Sequence, residues 1–127
     1  MGFRACCRTA SDEREPIGRR YKALRSAVER YAWLTRTSFQ SVFLQLKDRC
    51  NLRVGSPSPP DAISAATAML EDARSEFLVL LNATAAQRRS EKHAGRRLPR
   101  KGAFRDLYRS ARLGTPTASA LGDDQQQ

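Results

Sequence analysis

Apolar positions recur along this chain with the period of an α-helix. Ile17, Tyr21, Leu24, Val28 and Tyr31 are spaced 4, 3, 4 and 3 residues apart. That makes one stripe, opposed by a polar face of Arg19, Arg20, Arg25, Glu29 and Arg30. Pro16 suits the first turn of this helix, where a missing N–H costs nothing. Asp12, Glu13 and Glu15 suit its positive end. The stripe breaks at Thr35–Ser38, and Thr37 or Ser38 is placed to cap a second helix. Phe39, Val42 or Phe43, Leu46 and Cys50 carry the period on. One bent helix over 16–51 satisfies the same spacing.

The run Gly55-Ser56-Pro57-Ser58-Pro59-Pro60 breaks any helix, and Asp61 then reads as an N-cap. Ile63, Ala66, Leu70, Ala73, Phe77, Leu80 and Ala83 give the cleanest stripe in the chain, built from strong helix formers. It is expected to run to about Ser90. A short fourth helix is expected over 103–112, using Phe104, Leu107, Tyr108 and Ala111. No strand-like alternation and no internal repeat occurs. The pattern therefore predicts an all-α fold: a small antiparallel three-helix bundle with a basic C-terminal arm and a short fourth helix. The expected divisions are a flexible lead over 1–15, the bundle over 16–91, a basic linker and short helix over 92–116, and a disordered tail over 117–127. Residues 114–127 as a whole look disordered, being mostly small and polar and ending in Gln125-Gln126-Gln127.

At 127 residues the chain has room for one small core. Lys and Arg number 23 against 13 Asp and Glu, a net charge of +10, which points to a negatively charged partner. The charge is uneven. Residues 86–112 hold 10 basic and 2 acidic residues, whereas 61–85 hold 1 basic and 4 acidic. A basic arm on a helix bundle fits this better than a uniform nucleic-acid coat. Arg88, Arg89, Arg96, Arg97, Arg100 and Lys101 are its cations.

Catalytic and metal chemistry find little support. The single histidine, His93, lies in a polar basic stretch, and Cys6, Cys7 and Cys50 do not make a zinc set. Adjacent Cys6 and Cys7 lack the spacer of a redox or metal pair. There is no phosphate-cradling glycine loop and no nucleophile elbow. No apolar run approaches the length that spans a bilayer. The expectation is a binding protein, not an enzyme, with no cofactor and no transmembrane segment.

The opening Met1-Gly2-Phe3-Arg4-Ala5-Cys6-Cys7 reads in two ways. Gly2 and the following cysteines suit N-terminal acylation of a peripheral membrane adaptor. Arg4 and Arg8, with no acid before Asp12, suit an import lead. The 86–112 arm suits a small RNA-binding protein, although only Phe104 and Tyr108 are available for base stacking.

Arg20-Tyr21-Lys22-Ala23-Leu24-Arg25, at the start of a basic helix, resembles the Leu-Tyr-Arg opening of the mitochondrial LYR-motif family. Arg20 stands for Leu and Lys22 for Arg. Phe43, or Phe39 one turn earlier, matches the aromatic of that family's second helix. Ala111-Arg112-Leu113-Gly114-Thr115-Pro116 is similar to the end of its ATP synthase assembly-factor branch, with one residue fewer between Gly and Pro. The literal Leu107-Tyr108-Arg109 lies near the other end of the chain, and Tyr108 is read as a packing residue. The resemblance covers about residues 16–116. It implies a mitochondrial matrix assembly factor, chaperone or accessory subunit that works by protein–protein interaction. The implied partner is acidic: mitochondrial acyl carrier protein, or ATP synthase head subunits and chaperones. Arg19, Arg20, Tyr21, Lys22, Arg25 and Phe43 would form the partner-binding face. An acyl chain would enter a channel near Tyr21, Leu24, Phe43, Leu70 and Phe77.

Overall fold

The computed structural model of the protein describes residues 2–53, 58–95 and 100–117, with the backbone alone for 100–103. The fold is all-α. Five helices follow one another: α1 (Phe3–Ser11), α2 (Ile17–Thr35), α3 (Phe39–Cys50), α4 (Pro60–His93) and α5 (Arg100–Arg109).

The long helices α2, α3 and α4 form the expected bundle, and their stripes form its core. Leu24, Val28, Tyr31, Val42, Leu46, Ile63, Ala66 and Leu70 are all fully buried. The turn between α2 and α3 removes the single-bent-helix alternative. Arg36 adopts a left-handed conformation (φ 54°) that ends α2. Ser38 then caps α3, its hydroxyl accepting the Ser41 N–H at 3.1 Å. At the start of α4 the cap is Pro59, not Asp61, and Pro60 takes the first helical position. Its fixed φ is already helical, so the helix begins two residues earlier than expected. Asp61 still lies in the first turn, where its charge suits the helix end. In the same way Pro16 is the cap of α2 and lies just outside it.

The lead over 1–15 is the main correction. Residues Phe3–Ser11 form α1, and Phe3, Cys6, Cys7 and Ala10 are buried in the core. The Arg74 guanidinium lies 4.6 Å from the centre of the Phe3 ring. Near the other end of α1, the Ala10 carbonyl meets Arg20 of α2, which also reaches Ser64 of α4. The start of α1 thus lies well along α4 and its end lies at the start of α2 and α4. The helix runs against both and fills the groove between them.

With 34 residues, α4 is about 51 Å long, against about 29 Å for the 19 residues of α2. Its buried stripe ends at Phe77; Leu80 is 37 % exposed and Ala83 is exposed. Beyond that point α4 outruns its neighbours and meets α5. Phe77 stacks on Tyr108 at 6.2 Å, and Leu107 is buried beside the bundle. Tyr108 is therefore a packing residue, as read from its position. The Arg36 guanidinium lies 5.0 Å from the same ring.

After α5 the chain returns to the bundle and crosses the α2–α3 turn. The N–H of Leu113 donates to the Tyr31 hydroxyl at 3.4 Å, that of Gly114 to Gln45 Oε1 at 3.1 Å, and that of Thr115 to Ser41 Oγ at 3.0 Å. Pro116 bridges to Thr37, and the Thr117 N–H donates to the Arg36 carbonyl at 2.9 Å. Residues 114–117 are consequently an ordered strap, which corrects their reading as disordered. Residues 118–127 lie outside the described residues. Leu113 is completely buried. Gly114 has φ +84°, and a Cβ there would sit 2.6 Å from Val42 Cγ2 and 2.8 Å from Thr37 Cβ.

Gly114→Ala is therefore expected to lower stability by about 1–3 kcal/mol, through the positive φ and the collision together. Gly18→Ala, with nothing within 4 Å of its added Cβ, is expected to leave stability unchanged or slightly raised. Thermal melting of the two variants checks the contrast.

Candidate functional site

The residues expected to bind a partner divide into two groups once α2 is in place. Arg19, Lys22 and Arg25 are exposed. Arg19 pairs with Glu15 at 3.5 Å across one helical turn, a surface contact of small energetic weight. Tyr21 is half-buried and meets Phe43 edge-on at 6.3 Å. Phe43 stacks on Phe39 at 5.5 Å, and the Arg25 guanidinium lies 5.3 Å from the Phe39 ring centre. These contacts join α2 to α3 in a short ladder from Arg25 through Phe39 and Phe43 to Tyr21. Phe43 is itself buried, so it supports this face and does not present to a partner. The ladder holds the Arg25 head over an aromatic plane, which fixes a cation that would otherwise move freely.

Arg20 is a correction. It is 3 % exposed. Its Nε donates to the Ala10 carbonyl at 2.8 Å and its Nη2 to Ser64 Oγ at 2.9 Å. The guanidinium lies inside the fold and is not offered to a partner. Its sequence position suggests the polar face, but α1 covers that part of α2 and takes the guanidinium as a partner.

The expected acyl channel is packed where it was to be open. Leu24 and Leu70 have no exposed surface, and Phe77 is stacked on Tyr108. Of the basic arm, Arg89 is exposed and the Arg88 guanidinium lies 5.5 Å from the Phe104 ring centre. Arg96 and Arg97 lie outside the described residues. Arg100 and Lys101 stand in the first turn of α5, where only the backbone is described.

A cleft of about 410 Å³ that sequence reasoning missed lies between α1 and α4. Arg4, Arg8 and Ser11 line one wall and Glu71, Arg74 and Ser75 the other, over a floor of Phe3 and Cys7. Burial pushes the Cys7 thiol up to about 12, and the neighbouring Glu71 carboxylate adds to the effect. Cys6 and Cys7 are 1 % and 3 % exposed. Both thiols are thus covered while α1 is folded, which sets them apart from the accessible, ionised thiols that react readily.

Among the described residues no group of His, Cys, Asp and Glu is arranged to hold a metal ion, and no helix is long and apolar enough to cross a membrane. Comparison with known proteins finds no matching family model, no matching curated protein and no matching solved structure.

Two predictions follow from the buried groups. Arg20→Ala removes donors from the Ala10 carbonyl and the Ser64 hydroxyl together with its packed stem. It is expected to cost about 2 kcal/mol or more in urea unfolding, while Arg19→Ala is expected to stay within about 0.5 kcal/mol. The second concerns pH. Cys7 ionises near 12 in the folded chain against an ordinary 9.0. Its neutral form is favoured by folding, so its contribution is complete below about pH 9 and is lost as pH rises toward 12. Burial raises the Tyr31 hydroxyl and the Cys50 thiol too, which adds to the alkaline loss. Unfolding midpoints measured in reductant from pH 8 upward are expected to fall less steeply for Cys7→Ala than for the unaltered chain.

Proposed function

We propose that the protein acts by protein–protein binding, as a basic helical assembly factor or accessory subunit of the mitochondrial matrix. The surface offered to its acidic partner is the exposed side of α2 formed by Arg19, Lys22 and Arg25, with Tyr21 beside them. The observation that carries this reading is the placement of those three cations in solvent next to a half-buried aromatic ladder, which gives the face both charge and apolar contact. Interfaces built this way draw speed and selectivity from the charges and holding power from the aromatic anchor. The resemblance of Arg20-Tyr21-Lys22 to the opening of the LYR-motif family supports the choice of compartment and partner. Acyl carrier protein and the ATP synthase head subunits are the partners in question. The buried Arg20 and the packed interior at Leu24 and Leu70 support a contact on the outer face of α2 in preference to the bundle centre.

The test is recovery of partners from isolated mitochondria with the tagged chain, identified by mass spectrometry. The unaltered chain is expected to retain acyl carrier protein or ATP synthase head subunits. Arg19→Glu/Lys22→Glu/Arg25→Glu is expected to lose them by more than tenfold with its helical content unchanged. Equal recovery by both chains, or exclusion of the chain from mitochondria, would overturn the proposal.

A further inference from the structure

The α1–α4 cleft lies apart from the α2 face and collects charge of one sign. Arg4 and Arg8 are one helical turn apart on α1, and both are exposed. Neither has a hydrogen bond or ion pair with any described residue. Arg74 faces them from α4 and is held in place by the Phe3 ring, 4.6 Å from its guanidinium. Three guanidiniums and one carboxylate, Glu71, leave the lining with a formal net charge of +2. Like charges on one lining repel one another, and Glu71 is the one carboxylate among the lining residues. A bound anion would offset the rest.

The two walls have different ends. Because α1 runs against α4, Arg4 shares one end of the cleft with Arg74 and Ser75, while Arg8 and Ser11 share the other with Glu71. The first end has two guanidiniums and a hydroxyl with no carboxylate. Guanidinium forks match tetrahedral phosphate oxygens and bind them through paired N–H groups. At about 410 Å³ the cleft falls within the range of small-molecule sites, about 300–1,000 Å³. It has room for a body attached to the phosphate. Cys7, kept as a neutral thiol by its burial, and the Phe3 ring give that body an apolar floor. Glu71 disfavours ligands with charge spread along their length and favours a single anionic head.

We propose that this cleft binds a phosphate monoester, with the phosphate between Arg4 and Arg74 and its small organic body over Phe3 and Cys7 toward Glu71. Such a group occurs on a free metabolite and also as the headgroup of a phospholipid. Glycerol 3-phosphate and phosphatidic acid carry the same phosphate ester in the two forms.

The test is calorimetric titration of the full chain with glycerol 3-phosphate at low salt, beside co-sedimentation with phosphatidylcholine vesicles with and without phosphatidic acid. Arg4→Gln and Arg8→Gln are exposed substitutions, and circular dichroism checks that each variant keeps its helices. Arg4→Gln, which takes a guanidinium from the phosphate, is expected to weaken binding about tenfold, Arg8→Gln at the far end about twofold, and the double variant to abolish it. Glu71→Gln is expected to strengthen binding severalfold by removing the opposing charge. Arg88→Gln/Arg89→Gln, on the distant arm, is expected to leave it unchanged. Saturable binding of free glycerol 3-phosphate with this variant pattern identifies a soluble ligand. Retention on phosphatidic acid vesicles alone, with the same pattern, identifies a lipid headgroup. No binding in either arm would overturn the proposal. So would binding that survives in Arg4→Gln/Arg8→Gln, or that falls equally in Arg88→Gln/Arg89→Gln, because the charge would then act without the cleft.

Discussion

A guanidinium inside a helical bundle has to be justified by what it holds. Arg20 ties three helices at one point: it sits on α2, caps a carbonyl near the end of α1 and bonds a hydroxyl near the start of α4. The last carbonyls of a helix lack partners within it and carry the negative end of its dipole, so a cation there satisfies both needs. Asp12, just past α1, adds a carboxylate close enough for Arg20 to help hold it below its usual range, after the larger effect of its hydrogen bonds to Arg14. The buried charge is thus compensated by a helix end and a nearby acid, without a direct ion pair. Without α1 in place, Arg20 would lose its carbonyl and the core would lose Phe3, Cys6, Cys7 and Ala10. Docking of α1 and burial of Arg20 are one event.

This dependence explains what the residue pattern revealed and what it hid. The three long helices were legible because their stripes consist of large apolar residues at spacings of three and four, and Leu24, Leu46 and Leu70 all reach the core. The same spacing exists in α1: Phe3, Cys6, Cys7 and Ala10 stand at i, i+3, i+4 and i+7. It is inconspicuous because two cysteines and an alanine look like reactive or neutral residues, although unpaired cysteine is among the most buried residue types. If 1–15 is a flexible lead, the face of α2 that α1 covers looks like solvent. Arg20 then groups with Arg19 and Lys22. One missed helix produced one misplaced site residue.

The strap over 113–117 was hidden for a different reason. Apart from the buried Leu113 its residues are small, and its order comes from backbone N–H groups that find side-chain acceptors far away in sequence, on Tyr31, Gln45 and Ser41. No local composition encodes such contacts. Gly114 is the part with a local signature, since its positive φ and close approach to Val42 and Thr37 admit no side chain. The strap has a structural consequence. It fastens the chain after α5 to the α2–α3 turn, so α5 is held to the bundle both through α4 and through the segment that follows it.

These tertiary ties separate three basic surfaces that charge counted along the chain does not distinguish. The α2 face keeps Arg19, Lys22 and Arg25 in solvent because Arg20, in the same run of basic residues, points the other way. The α1–α4 cleft gathers Arg4, Arg8 and Arg74 from segments seventy residues apart, so it has no signature in either segment. On the arm, Arg88 is held against Phe104 while Arg89 stays exposed. Adjacent arginines therefore have different roles wherever a helix turns one of them inward. A count of charge along the chain ranks the segments by how basic they are. Which cations share a surface follows from the helix that covers each one, and for the N-terminal half that helix is α1.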